Sequence, residues 1–166
     1  IATLKNVPLL RPWAAEGQPP APADTEGLSK EEAAVALPLA RLTALISDDG
    51  MVQLRASRAL RQRCEHLRFW QLRTGQTPES LQEHERMRLH DELGQDLPAL
   101  ALQLPMAEKG IWLRRWRDAD DPLFHPRAPI DGNSILKTLE IEPGPLLGRL
   151  LHHLKLEHAF GRIKTP

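Results

Sequence analysis

The side chains best able to do chemistry are cationic. Residues 54–73 hold six arginines and one glutamate. On a helix of 3.6 residues per turn, Ala56, Leu60, Cys64, Leu67 and Trp70 cluster on one side. Arg58, Arg61 and Arg68 fall on the opposite side, with Arg55 and Arg73 at its edge. Guanidiniums on one face neutralise successive phosphates and release their counterions. The alternative is a solvated face whose arginines pair with the acidic segments 16–49 or 79–96. A second anion feature is Pro143-Gly144-Pro145. Pro at the first helical position is pre-set for a helix, whose free amides and dipole suit a phosphate. The alternative there is that Gly144 and Gly148 only let two helices pack closely. Arg149, Lys155, Arg162 and Lys164 make the C-terminal stretch basic.

A metal centre is the competing chemistry. His66, the pair His90-Asp91 and one of Asp118, Asp120 or Asp121 match the ligand order of HD-type phosphohydrolases. His66 lies among arginines, a poor setting for a cation, and Arg88–Leu93 reads as an ordinary amphipathic helix end. The expectation is no metal site and no catalytic residue. His152, His153 and His158 read as surface or interface residues, and Cys64 as a core residue. Trp70, Trp112 and Trp116 have helical spacing and belong to a core. Trp13 is expected to anchor the segment around it to the body.

These groups must be positioned by helices. Ser29 and Glu32 form a capping-box pattern, and Pro38 is expected to kink or restart the helix they open. Leu39, Leu42, Leu45 and Ile46 give its apolar stripe, and Asp48-Asp49-Gly50 is expected to end it as a turn. Residues 52–73 form the longest periodic segment. Thr77 as N-cap, Pro78 behind it and Gly94 at the end bound the next helix. Shorter helices are expected over 96–104 and 107–118, then about 133–141 and 145–160. No stretch alternates like a strand.

Composition sets the limits. The chain has 166 residues, 22 basic and 22 acidic side chains and one cysteine. A neutral total hides local polarity: residues 16–49 hold seven acids and two bases. One cysteine excludes an internal disulfide and a Cys-rich zinc site. No apolar run approaches a membrane span, and the first residues lack the apolar core of a secretory leader. The expected location is cytoplasmic. A start at Ile1 rather than Met suggests a fragment or processed chain. Absent Tyr and scarce Phe count against a single-strand binder that stacks bases on aromatic faces.

A family resemblance enters at the C-terminus. Pro129-Ile130-Asp131-Gly132-Asn133-Ser134-Ile135-Leu136, then Glu142-Pro143-Gly144-Pro145-Leu146-Leu147-Gly148-Arg149-Leu150-Leu151, then Gly161-Arg162-Ile163, resemble the closing motif of bacterial tRNA nucleotidyltransferases (CCA-adding enzymes) and related poly(A) polymerases. Arg41–Ile46 and Leu54–Ser57 are similar to helices of that family's body. The family's catalytic head holds two metal ions through carboxylates near a Gly-Ser pair. This sequence has no Gly-Ser pair, no strand-rich region and no recognisable neck motif of an acidic pair followed by arginine. The resemblance therefore implies the RNA-holding body and tail without the head. It implies contact with the elbow and acceptor stem of tRNA, or another RNA 3′ end, mainly through shape and phosphates. Mg²⁺, ATP and CTP would belong to the head, itself an expected partner; neither DNA nor a membrane is expected.

The expected fold is all-α, with about seven helices and no sheet. A Pro-rich lead-in over 1–28 precedes a helical body over 29–118. A loop over 119–130 leads to a two-helix tail over 131–166. The expected RNA-contacting residues are Arg55, Arg58, Arg61, Arg68, Arg73, Gly144, Gly148, Arg149, Lys155, Arg162 and Lys164. The main alternative is a helical protein–protein adaptor, which would expose an apolar groove.

Overall fold

A computed structural model describes residues 13–14, 25–73 and 80–164. Most of the lead-in, and Thr77 itself, lie outside the described residues, but the helix expected to start there opens at Glu83 with Gln82 as N-cap. Among the described residues the fold is all-α, with eight α-helices and no strand. They are α1 (Lys30–Leu45), α2 (Asp48–Gln53), α3 (Arg58–Gln71), α4 (Glu83–Leu93), α5 (Leu97–Ala101), α6 (Met106–Arg117), α7 (Gly132–Leu139) and α8 (Pro145–Ala159). A single 3₁₀ turn, Gly94–Asp96, joins α4 to α5.

The capping box at Ser29 and Glu32 is present. Ser29 Oγ accepts from the Glu32 amide at 3.2 Å, and Glu32 accepts from the Ser29 amide at 2.8 Å. Pro38 neither restarts nor ends α1, which runs through it as one helix. A mid-helix proline costs about 3 kcal/mol. Here it sits on the exposed face while Ala36, Leu39, Ala40, Thr43 and Ala44 are buried on the other. The buried stripe is thus mostly small residues, and of the apolar side chains expected there only Leu39 is fully buried. Small residues bring α1 close to α5 and α3, its main neighbours. All five residues of α5 are buried, which makes it the centre of the body.

The segment expected as one helix over 52–73 is two. Ser47 opens α2 by accepting from the Gly50 amide at 3.0 Å, so Asp48-Asp49-Gly50 begins a helix instead of forming a terminal turn. Arg55 then takes a left-handed conformation (φ 55°). Ser57 caps α3 by accepting from the Leu60 amide at 3.2 Å. Serine and threonine side chains compete locally for backbone amides, which breaks a helix that periodicity alone would continue. Trp13 itself does dock on the body. Its carbonyl accepts from the Ser47 amide at 2.7 Å, and its indole N–H reaches Gln53. Any Cβ at residue 50 would lie 2.7 Å from the Trp13 carbonyl oxygen, so this approach requires Gly50.

The core gathers Leu39, Met51, Cys64, Leu67, Trp70, Leu89, Leu93, Leu97, Leu100 and Trp112, with Leu123 and Phe124 from beyond α6. Those last two come from the stretch expected to be a plain loop. Asp121 seats them: its carboxylate accepts from the Leu123 and Phe124 amides at 3.0 and 2.9 Å and from Arg115 Nε at 2.9 Å. Desolvation raises the Asp121 pKa, but these donors outweigh it and hold the group below its ordinary value. Phe124 lies 4.3 Å from the His90 ring and edge-on to Trp112.

The tail begins where Asp131 caps α7, accepting from the Asn133 and Ser134 amides at 2.9 and 3.1 Å. α8 packs against α7. The glycine at that contact is Gly132, where a Cβ would meet Leu151 and Leu147 at 3.5 and 3.6 Å. Nothing lies within 4 Å of a Cβ built on Gly148, and only its own segment's backbone lies near Gly144. Close helix packing is therefore not what those two glycines serve.

Candidate nucleic-acid interface

The five arginines expected to form one phosphate-facing arc divide into two groups. Arg68 is buried, with 7% exposure, instead of facing solvent. Its guanidinium donates to the Thr43 carbonyl at 3.3 Å, to the Ile46 carbonyl and to Asp48. It thus satisfies carbonyls at the C-terminal end of α1 and ties α3 to α2. The reason lies in the helical angle. Residue 68 follows buried Cys64 by four positions, only about 40° away on the wheel, so it flanks the apolar face instead of opposing it. Arg73 is engaged as well: it donates to Glu85 at 2.6 Å and stacks over Phe69 at 4.8 Å. For these two, pairing with the acidic segments is the outcome.

Arg55, Arg58 and Arg61 differ. Arg55 and Arg58 are exposed and Arg61 is half-buried. None of the three pairs with a carboxylate among the described residues. Arg61 Nε is shielded from solvent with no hydrogen-bond partner. They stand around the start of α3, and Arg58 and Arg61 line a depression of about 410 Å³ with Gln62, Glu65 and His66. The first turns of α1, α2, α4 and α6 carry carboxylates, which complement the positive end of the helix dipole. α3 has no acid in its first turn and begins with Arg58. Cations there add to the dipole and leave a concentrated positive potential that an anion would neutralise.

Two of the tail's four expected cations are already paired. Arg162 donates to Glu83 of α4 and, at 3.0 Å, to Glu157. Lys155 Nζ lies 3.5 Å from Asp91. Arg149 and Lys164 are exposed and form no ion pair among the described residues. At Gly144 no side chain caps α8, and Pro145 occupies its first position. Between α4 and α8 lies a groove of about 750 Å³ lined by Met87, Arg88, Glu92, His152, Leu156 and Phe160 among others. The α3 depression adjoins it: His66 Nδ1, on the depression's wall, is 3.1 Å from the Glu92 carbonyl, on the groove's wall.

His66, His90 and Asp91 do not share surroundings. His90 is buried against Phe124, and burial lowers its pKa to about 4. Asp91 is exposed and faces Lys155. Among the described residues no three His, Cys, Asp or Glu side chains converge as a ligand set. None of the described helices is long and apolar enough to cross a membrane.

Several working residues were missed in the sequence. Arg63 projects toward the body and makes a two-pronged bond to Asp96, 2.7 and 2.6 Å. Residue 63 falls between Trp70 and Ala56 on the wheel, toward one edge of the apolar face, which was the available signal; its side chain stays 44% exposed while Asp96 is buried. Glu92 accepts from Trp70 Nε1 at 2.9 Å and from Arg88 Nε at 2.6 Å. An apolar groove also opens between α7 and α8, lined by Ile130, Ile135, Thr138, Leu139, Leu150 and Leu154 among others.

No family model matches the chain, and no solved structure matches it. One stretch of 53 residues is 34% identical to the CC-adding tRNA nucleotidyltransferase of Synechocystis sp.. That stretch covers 32% of this chain and 13% of the relative's length. The chain thus carries a local similarity to a tRNA nucleotidyltransferase, confined to a small part of that enzyme.

Proposed function

We propose that the chain holds RNA, in the manner of the helical part of a tRNA nucleotidyltransferase or poly(A) polymerase, and itself performs no transfer. The preferred ligand is the acceptor and elbow region of tRNA. Nucleotide addition with CTP, ATP and Mg²⁺ would fall to a catalytic head that these residues do not contain. One observation carries the reading: Arg55, Arg58 and Arg61, at the positive end of α3, form no ion pair among the described residues. The local similarity to a tRNA-acting enzyme supports the choice of RNA as the polyanion.

The test is tRNA binding by the chain and by Arg58→Ala/Arg61→Ala. The variant should bind more weakly, to a similar degree for tRNAs of different sequence, because phosphate contacts carry no base information. Its plot of log affinity against log salt should flatten by about one to two units for two lost contacts. Stability should change by less than about 0.5 kcal/mol, since neither residue has an ion-pair partner among the described residues. A folded variant with unchanged affinity and salt slope would sink the reading. The α7–α8 groove would then favour the second reading, a helical adaptor that docks an apolar partner.

A further inference from the structure

The tail's contact with α4 is unlike the rest of the packing. α8 packs on α7, but it faces α4 across an open groove of about 750 Å³. Two ion pairs cross that gap, Arg162–Glu83 at one end and Lys155–Asp91 at the other, and beside the first Phe160 lies 5.5 Å from the Arg86 guanidinium of α4 and packs on the core. Glu83 and Asp91 are eight positions apart on α4, about 12 Å along its axis. Their partners run in the reverse order, so α8 is antiparallel to α4. All four side chains are substantially exposed: 45% and 47% for the first pair, 29% and 56% for the second. Exposed pairs of this kind are weak and open readily as salt rises. The cations they occupy are two of the four that the tail offers to an RNA backbone.

We propose that Glu83 and Asp91 are internal substitutes for phosphate, forming a latch that keeps the tail closed on α4 and its cations occupied until RNA displaces them. The inference rests on the RNA-holding reading above. A phosphate oxygen and a carboxylate oxygen are interchangeable acceptors for guanidinium and ammonium, and RNA presents many in a row. An incoming backbone therefore exchanges one set of exposed pairs for another. The two carboxylates also repel that backbone while the latch is closed. RNA binding and tail opening are coupled in consequence, each favouring the other. His66 connects the two surfaces. Its ring meets the Glu92 carbonyl on the groove wall, so RNA seated on Arg58 and Arg61 lies beside the latch.

The experiment compares tRNA affinity of the unaltered chain, of Glu83→Gln/Asp91→Asn, and of a charge-matched control, Asp120→Asn/Glu142→Gln. The control residues are exposed and form no ion pair among the described residues. The latch variant should bind about three- to tenfold more tightly than the control, because Lys155 is then free and Arg162 is held only by Glu157 within the tail itself. Spin labels at Gln95→Cys and His153→Cys, both exposed positions, give a second readout. The distance between them should broaden or lengthen when tRNA is added, and should already be so in the latch variant without RNA. Latch and control variants of equal affinity, or a label distance unaffected by tRNA and by the substitutions, would overturn the latch and leave RNA binding intact. Failure of the unaltered chain to bind tRNA would overturn both.

Discussion

Arg58 and Arg68 are ten positions apart on one helix and have opposite roles. The first has no ion-pair partner among the described residues; the second is buried and shared among two carbonyls and Asp48. Replacing Arg68 by Ala would strand the Thr43 and Ile46 carbonyls and open a gap beside Cys64. We expect Arg68→Ala to destabilise the fold by about 2–4 kcal/mol, read as a lower urea midpoint. Its tRNA affinity, measured where the variant is still folded, should match that of the unaltered chain. The converse behaviour of Arg58→Ala/Arg61→Ala would separate the two groups of arginines experimentally. A helical wheel placed Arg58 correctly because it lies about 120° from Cys64, whereas Arg61, about 60° from Cys64, is half-buried. The wheel misplaced Arg68, which sits at the border of the apolar face. At a border, the outcome depends on what the neighbouring elements offer. Here the neighbours are the end of α1 and the start of α2, whose carbonyls and Asp48 need a donor.

At the scale of elements, α4 and the stretch after α6 meet at His90. The ring is buried against Phe124, and its Nε2 has no partner among the described residues. Burial lowers its pKa from 6.5 to about 4; of its charged neighbours, Asp121 acts to raise it and Arg115 and His125 to lower it. The unfolded chain therefore binds a proton that the folded chain refuses between pH 6.5 and about 4. Stability is full above that window and is lost as pH falls through it, by at most about 3 kcal/mol from this residue. Urea midpoints at pH 7 and pH 4.5 should show the loss, and His90→Leu should reduce it while remaining stable at pH 7.

Most elements were legible because their caps are written in the residues. Ser29 with Glu32, Gly94, Asp131 and Pro145 all mark ends where helices do begin or stop. The break between α2 and α3 was hidden, since Ala56, Leu60, Cys64 and Leu67 keep helical period across it. The anchoring of Leu123 and Phe124 was hidden too. It depends on Asp121 finding Arg115 and two amides, a local network without a periodic signature.

The molecule as a whole is neutral, yet its charges are not evenly used. Asp48, Glu85 and Asp96, the acids facing the arginine-rich helix, are paired, while Arg55, Arg58 and Arg61 at its start form no ion pair among the described residues. The sequence showed that a neutral total hid basic stretches. It could not show which cations were already occupied, because pairing joins residues as far apart as Glu83 and Arg162. The interface is therefore less legible than the fold: side-chain identity gave the chemistry, and tertiary contact decided its availability.

Cys64 extends this to a measurement. It is the chain's only cysteine, it has no exposed surface, and burial raises its thiol pKa. A thiol reagent can reach it only when the body opens. With an alkylating probe in excess, the labelling rate should fall below that of a free thiol by the factor separating closed from open molecules. Substitutions that loosen α3, such as Arg68→Ala, should speed labelling, whereas opening the tail latch should leave it unchanged. One sulfur atom thus serves as a native clock for the body, blind to the motion of the tail.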